Sequence, residues 1–184
     1  MAEDTLTRCC RVLGEDDPGT LVSAGSLANY LITLGDLERG RELAEDTLTR
    51  RRRVLGEDHP GTLRSAIDVS IDLAGRGEYE RAAELAEDTL ARSRRILGES
   101  HPRTLTAASN LAVRLGELGD YERARELDED TLARCRRVLG EDHPGTLVAA
   151  DNLADHLDAL GEHAPARQLR EDTEARRRAT EQTD

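Results

Sequence analysis

The 184-residue chain contains no phenylalanine, no tryptophan and no lysine, and only three tyrosines. Without large aromatic side chains, its core must be built from leucine, valine, isoleucine and alanine. Charged residues make up 35% of the chain, well above the usual quarter. A closed globule offers too little surface for so many charges, whereas thin helical layers offer enough. The lack of lysine also excludes a phosphate-binding loop of the Walker type, which requires one.

Charge and hydropathy exclude further classes of function. The net charge of −12 argues against general affinity for the phosphate backbone, so we expect no nucleic-acid partner. No apolar run is long enough to span a bilayer, and the start of the chain lacks a signal-peptide pattern, so we expect no membrane association. Three cysteines, two of them adjacent, do not indicate a disulfide framework. The expected location is the cytoplasm.

The chain repeats itself every 42 residues. Residues 2–6 recur, with at most one change, at 44–48, 86–90 and 128–132, and residues 11–21 recur at 53–63, 95–105 and 137–147. Such self-similarity is typical of a solenoid, in which each unit buries its apolar face against its neighbours. We therefore expect a single array over 1–184. Its predicted units are approximately 2–43, 44–85, 86–127 and 128–169, followed by a C-terminal cap at 170–184.

Each unit divides into two helical stretches, so the predicted fold class is all α, with about nine helices. Apolar residues recur every three or four positions, first from Leu21 and then from about Leu37 to Leu55. Gly35 is expected to end the first helix, Asp36 to cap the second and Gly56 to end it. The residues predicted to face inward are Leu21, Ala24, Leu27, Ala28, Leu31 and Leu34, then Leu43, Thr47, Leu48, Val54 and Leu55.

Histidine and cysteine each invite a chemical interpretation. His59, His101 and His143 occupy equivalent loop positions, but successive helix pairs separate them by roughly 20 Å, too far to share a metal. We expect them to cap helices, as Asp17 can at the same position. Cys9, Ser93 and Cys135 also share one position, where small residues indicate partial burial, and Arg51 is expected to extend outward there. No catalytic, cofactor-binding or metal-binding set stands out, and we expect no enzyme activity and no cofactor.

The stretches 27–48 and 110–132 resemble tetratricopeptide repeats in the spacing of their small residues and hinge glycine. The 42-residue period is similar to that of kinesin light chains and, still more, to arrays in actinobacterial signalling ATPases and regulators. The resemblance implies a right-handed α-solenoid of antiparallel helix pairs. It also implies a non-enzymatic scaffold that binds a protein or peptide segment on its concave face.

The resemblance further implies which residues line that face, here called the first-helix row. Asparagine in this row commonly holds an extended ligand through backbone hydrogen bonds, because an amide both donates and accepts. Asp151, Asp155 and Asp158 make the last repeat acidic, which favours a basic or neutral peptide. The alternative that these positions are merely solvated stays open. The implied row consists of Asn29, Asp68, Ile71, Asn110, Val113, Asn152 and Asp155.

The two ends of the array differ. In the last helix, Glu174, Thr180 and Glu181 replace apolar residues, as a terminal cap requires. The opening helix keeps its apolar residues, so we expect something to cover it. That would be an upstream repeat of a parent protein or a second copy, making a homo-oligomer. The alternatives to peptide binding are therefore a self-assembling module or an excised sensor region of a larger signalling ATPase or regulator. The candidate self-association residues are Leu6, Cys9, Val12 and Leu13.

Overall fold

The computed structural model of the protein describes residues 2–181, which form nine α-helices and no strand. The predicted all-α class and helix number are thus confirmed. The predicted cap at 170–184 falls within this range only as far as residue 181, and residues 182–184 lie outside it. The helices are α1 (Ala2–Leu13), α2 (Pro18–Thr33), α3 (Leu37–Leu55), α4 (Pro60–Gly75), α5 (Tyr79–Leu97), α6 (Pro102–Glu117), α7 (Tyr121–Leu139), α8 (Pro144–Ala159) and α9 (His163–Glu181).

The helices form two compact units, Met1–Glu78 with α1 to α4 and Tyr79–Asp184 with α5 to α9. Within each unit, every helix packs against the next one along the chain, and α6 also contacts α8. Only a few residues join consecutive helices, so packed neighbours run antiparallel. The predicted antiparallel helix pairs are therefore present in both units.

Glycines end the first helix of each pair. Gly35 adopts a φ of 87°, and its N–H donates to the Ile32 carbonyl at 3.0 Å. The Asp36 N–H donates to the Leu31 carbonyl at 3.0 Å, which completes a Schellman motif. The prediction that the Asp36 side chain caps the next helix is wrong. It makes no capping hydrogen bond and instead pairs with Arg39 at 3.0 Å.

The turn before each first helix is closed by a side chain. Asp17 Oδ1 accepts a hydrogen bond from the Gly19 N–H at 2.8 Å. In the other three repeats, the histidine at this position accepts a hydrogen bond at Nδ1, at 3.0–3.1 Å, from the N–H of the residue two positions later in the chain. A proline follows as the first helical residue, where its missing N–H costs nothing. The predicted capping role of His59, His101 and His143 is confirmed.

Small residues let the two helices of a pair approach closely. A Cβ on Gly40 would lie 2.7 Å from Ile32 Cγ1, and the equivalent Ala82, Ala124 and Ala166 are completely buried. Buried threonines at two positions of each repeat contribute to the core in place of larger apolar residues, and Thr47 is one of them. The inward placement of Leu34 and Val54 is wrong, because they are 64% and 41% exposed.

Candidate functional site

In the first unit, the first-helix row brings two polar side chains together across neighbouring helices. Asn29 on α2 hydrogen-bonds to Asp68 on α4. Burial raises the pKa of Asp68, and the charge of Arg64, the Asn29 amide and the charge of Arg51 oppose that rise. Ile71, one turn further along α4, is 51% exposed. This part of the row therefore presents an amide–carboxylate pair beside an exposed aliphatic side chain.

Arg51 lies behind this pair, and the prediction that it extends outward is wrong. Its side chain turns inward from α3, and the residue is only 7% exposed. The guanidinium donates to the Leu21 carbonyl at 2.8 Å, the Gly61 carbonyl at 3.0 Å and Ser65 Oγ at 2.5 Å. These acceptors belong to α2 and α4. A single buried side chain thus joins three helices of the first unit.

Glycine at position 25 makes room for this arginine. A Cβ added to Gly25 would stand 3.3 Å from Arg51 Nη2. The equivalent residues in the other repeats are Ile67, Ser109 and Asp151, none of which is glycine. Gly25 is the only glycine among these four residues, and Arg51 is the only arginine among residues 9, 51, 93 and 135. The occurrence of both exceptions on the adjacent helices α2 and α3 was the sequence signal that would have predicted the inward arginine.

In the second unit, the row is more buried. Asn110 on α6 is only 9% exposed, while Val113 on α6 and Asn152 on α8 are half-buried. Because α6 and α8 contact each other, their row residues lie on neighbouring helices. Asp155 is exposed. The accessible polar groups of the row in this unit are therefore concentrated on α8.

The carboxylates of α8 are paired with arginines of α9. Arg170 donates to Asp155 at 2.7 Å and also to Asp158, and His163 Nδ1 lies 3.0 Å from Asp158. Arg177 donates to Asp151. The hydrogen bond from Arg170 lowers the pKa of Asp158, helped by His163. Since each of these carboxylates has a cationic partner on α9, the charge argument for a basic ligand loses its support.

A buried carboxylate–imidazole pair joins α7 to α8. Asp128 Oδ2 lies 2.7 Å from His156 Nδ1, and the two residues are 0% and 7% exposed. Burial raises the pKa of Asp128, and the hydrogen bond and charge of His156 oppose the rise. Sequence reasoning missed this pair. The signal was present, because Asp128 replaces the alanine found at positions 44 and 86.

The opening helix α1 contains no buried residue. Leu6 and Cys9 are half-buried, whereas the equivalent Leu48 and Cys135 are 4% and 3% exposed. Val12 is 77% exposed and Leu13 54%. The position of Val12 is open in every repeat, however, since its equivalents are 41–47% exposed. The exposure of Leu6, Cys9 and Leu13 is therefore better evidence than that of Val12 for an uncovered face on α1.

The arginine-rich ends of the second helices pair with acidic loop residues. Arg50 lies 2.7 Å from Glu15, and Arg53 lies 2.6 Å from Asp16. Arg134 pairs with Asp130 of its own helix, α7, at 2.7 Å. These clusters are therefore neutralised surface networks rather than patches of free positive charge.

Two kinds of site are absent from residues 2–181. No three histidine, cysteine, aspartate or glutamate side chains in that range are grouped as metal ligands would be. None of its helices combines the length and apolar character that crossing a bilayer demands. The row and the buried pair are thus the features of the described chain that invite a functional interpretation.

Two family models, both described as tetratricopeptide repeat, match residues 25–95 and 104–145. Together these segments span well over half of the chain. They are tetratricopeptide repeats. No curated protein matches the chain.

Solved structures support the same assignment. The repeats resemble those of a kinesin light chain-like protein of Podosopora anserina with nearly identical TPR-like repeats, at 26% identity and a TM-score of 0.77, over 97% of this chain and 85% of that one. The fold also matches BtubC (BKLC) from P. vanneervenii, at 20% identity and a TM-score of 0.81, over 98% of this chain and 72% of that one. Both likenesses extend over nearly all of this chain.

Proposed function

We propose that this repeat protein is a non-enzymatic scaffold that binds a peptide or protein segment along its first-helix row. Tetratricopeptide repeat proteins generally mediate protein–protein interactions, and this chain carries such repeats. The observation that carries the proposal is the row itself, in which Asn29 and Asp68 stand beside exposed Ile71. Amide and carboxylate groups there fix a ligand backbone, and Ile71 adds apolar contact.

The proposed ligand is neutral rather than basic, because α9 already neutralises the carboxylates of α8. The 42-residue period and the kinesin-light-chain-like neighbours support the long-repeat variety found in actinobacterial signalling proteins. We further propose a cytoplasmic location, because free cysteines without a disulfide framework suit a reducing compartment. Within a larger signalling ATPase or regulator, such an array would serve as the recognition region, and the neighbouring reading frame tests that.

The test of the row changes its two accessible asparagines, Asn29 and Asn152, together to alanine and measures recovery of the protein captured by the native chain. We expect recovery to fall at least about tenfold if each lost hydrogen bond contributes about 1 kcal/mol. Gln168→Ala, an exposed amide on α9, is the matched control. Undiminished recovery with the double variant, together with unchanged helicity, would rule out the row as the binding surface.

A second candidate function is self-assembly through α1. It is favoured by the partial exposure of Leu6, whose equivalents Leu48 and Leu90 are buried. Leu6→Glu with Val12→Glu should convert an oligomer to a monomer in sedimentation equilibrium while helicity is retained. Val54→Glu alone is the matched control, because Val54 occupies the position of Val12 one repeat later and its substitution should leave the oligomer intact. A monomeric mass for the unaltered chain, well above micromolar concentration, contradicts this candidate.

A further inference from the structure

Asp128 is a carboxylate placed where the fold does not require one. The equivalent positions 44 and 86 carry alanine, and both alanines are buried. Asp128 itself is completely buried, and Oδ1 has no hydrogen-bond partner. Its other oxygen, Oδ2, meets His156 Nδ1 at 2.7 Å. Burying a carboxylate that has only one hydrogen-bonding neighbour costs free energy. The stability of this contact therefore depends on the charges of Asp128 and His156.

The surroundings supply little other compensation. On α8, the carboxylate of Asp155 repels Asp128, and Arg170 of α9 is engaged with Asp155 and Asp158. On α6, Gly116 lies against the imidazole of His156. A Cβ added to Gly116 would be 2.4 Å from His156 Nε2.

Two further polar groups lie on α6 and α7, the helices that pack against α8. The buried Arg114 of α6 pairs with Glu117 at 3.2 Å. The Tyr121 ring of α7 lies 6.5 Å from the imidazole, centroid to centroid. His156 is therefore the group that balances the charge of Asp128.

The number of bound protons sets the net charge of the pair. A neutral imidazole beside an ionised carboxylate leaves one buried negative charge. One further proton, on Nε2 or on the carboxyl group, makes the pair neutral, and a second leaves a buried positive charge. Because the two groups interact at hydrogen-bond distance, they titrate as a pair. Burial of net charge is unfavourable, so the neutral pair gives the most stable contact.

We propose that the Asp128–His156 pair is a proton-sensitive contact that makes the packing of α8 on α7 depend on pH. Packing is tightest in mild acid, where the pair is neutral, and weakens as the pH rises and the buried carboxylate loses its compensating proton. In stronger acid it weakens again. The raised pKa of Asp128 agrees in sign, because a carboxyl group with a raised folded-state pKa loses its stabilising contribution as the pH rises through that value. Helix α8 also carries Asn152 and Asp155, but the inference does not depend on the proposed function.

The test measures urea-unfolding midpoints of the whole chain from about pH 8 to about pH 4, with α8 amides followed by NMR. For the unaltered protein, we expect the unfolding equilibrium to become less favourable by about tenfold on moving into mild acid, which corresponds to about 1.4 kcal/mol. Asp128→Asn removes the charge and keeps the shape of the side chain. It should therefore abolish this gain in stability. Asp128→Ala introduces the residue found at positions 44 and 86 and serves if the asparagine variant folds poorly.

The matched control is His163→Ala, which removes the exposed imidazole paired with Asp158 in the same unit. This variant should still gain stability on moving into mild acid. The amide signals of α8 give an independent readout, since their pH dependence should be lost in Asp128→Asn and kept in His163→Ala. Parallel pH profiles for the unaltered protein and both Asp128 variants, or α8 amide signals that keep their pH dependence in Asp128→Asn, would overturn the proposal.

Discussion

Arg51 of the first unit and Cys135 of the second occupy the same position of the repeat and fill it in opposite ways. Arg51 is buried and donates hydrogen bonds to residues of α2 and α4. Cys135 packs in an apolar cluster with Leu105 and Leu132 and is 3% exposed. Residues nearly identical in sequence around the two positions therefore support different interiors, one hydrogen-bonded and one apolar.

The difference shows that near-identical repeats need not be energetically equivalent. A buried arginine needs its donors satisfied, so the stability of its unit depends on several groups at once. A buried thiol depends mainly on shape. The stability of the first unit therefore depends strongly on Arg51. In the second unit, the buried polar residues on which stability depends are Asp128 and His156.

Arg51→Ala should give the largest effect. It removes hydrogen bonds to two carbonyls and a hydroxyl and leaves a cavity, so we expect the free energy of unfolding to fall by about 2–4 kcal/mol. Urea denaturation measures this loss. Arg53→Ala on the same helix is the control, because its exposed ion pair with Asp16 should contribute at most about 1 kcal/mol. Equal losses from the two substitutions would mean that the buried network contributes nothing special.

Transplanting the pattern of the second unit into the first tests whether positions 25 and 51 are coupled. Gly25→Ser with Arg51→Cys introduces the pair Ser109 and Cys135. Gly25→Ser alone forces Arg51 to move, so the double variant should lose less stability than the sum of the single variants, by about 1 kcal/mol or more. A double-mutant cycle measures the coupling. Strict additivity would show that Gly25 and Arg51 vary independently.

Thiol labelling compares the two units directly. Burial raises the pKa of Cys135, which lowers its thiolate fraction, whereas Cys9 and Cys10 are half-buried on α1. We expect Cys135 in the folded protein to react with a thiol reagent at least about tenfold more slowly than the other two. Mass spectrometry of timed samples locates the label. Comparable rates in the folded state, with equal rates in urea, would show that Cys135 is not protected.

The smallest expected effect is one that the two units share. His59→Ala and His143→Ala each remove a side-chain cap, so each should lower the free energy of unfolding by about 0.5–1.5 kcal/mol. The losses should be similar, because a cap is a local interaction within one turn. Thermal unfolding of the two variants compares them. A loss confined to one unit would indicate that the caps depend on the packing around them.

Much of the fold follows from local sequence. The 3–4 spacing from Leu21 to Leu31, the end of α3 at Gly56 and the histidine caps are all determined within a few residues, and all were predicted correctly. Val54 was placed wrongly because periodicity marks a face of a helix without showing how far its neighbours extend over it. The capping role of the Asp36 side chain was predicted wrongly because its carboxylate pairs with Arg39 instead of accepting a hydrogen bond from the first turn of α3.

The candidate site was less accessible to prediction. The row residues could be selected by their register on the first helices, and whether they bind a ligand stays a prediction. That Asn29 is bonded to Asp68, and that α9 neutralises the carboxylates of α8, depends on side chains from separate helices. Register on one helix does not specify which partner a neighbouring helix will supply.

The sequence by itself determined that the chain forms repeated helix pairs, where each helix begins and ends, and which residues recur at each position. Those features arise from backbone geometry and from apolar spacing within short segments. Only the tertiary structure decided that Arg51 turns inward and that Asp128 meets His156. The physical reason is that burial and pairing of a polar group depend on the space and partners that other helices provide, such as the room left by Gly25.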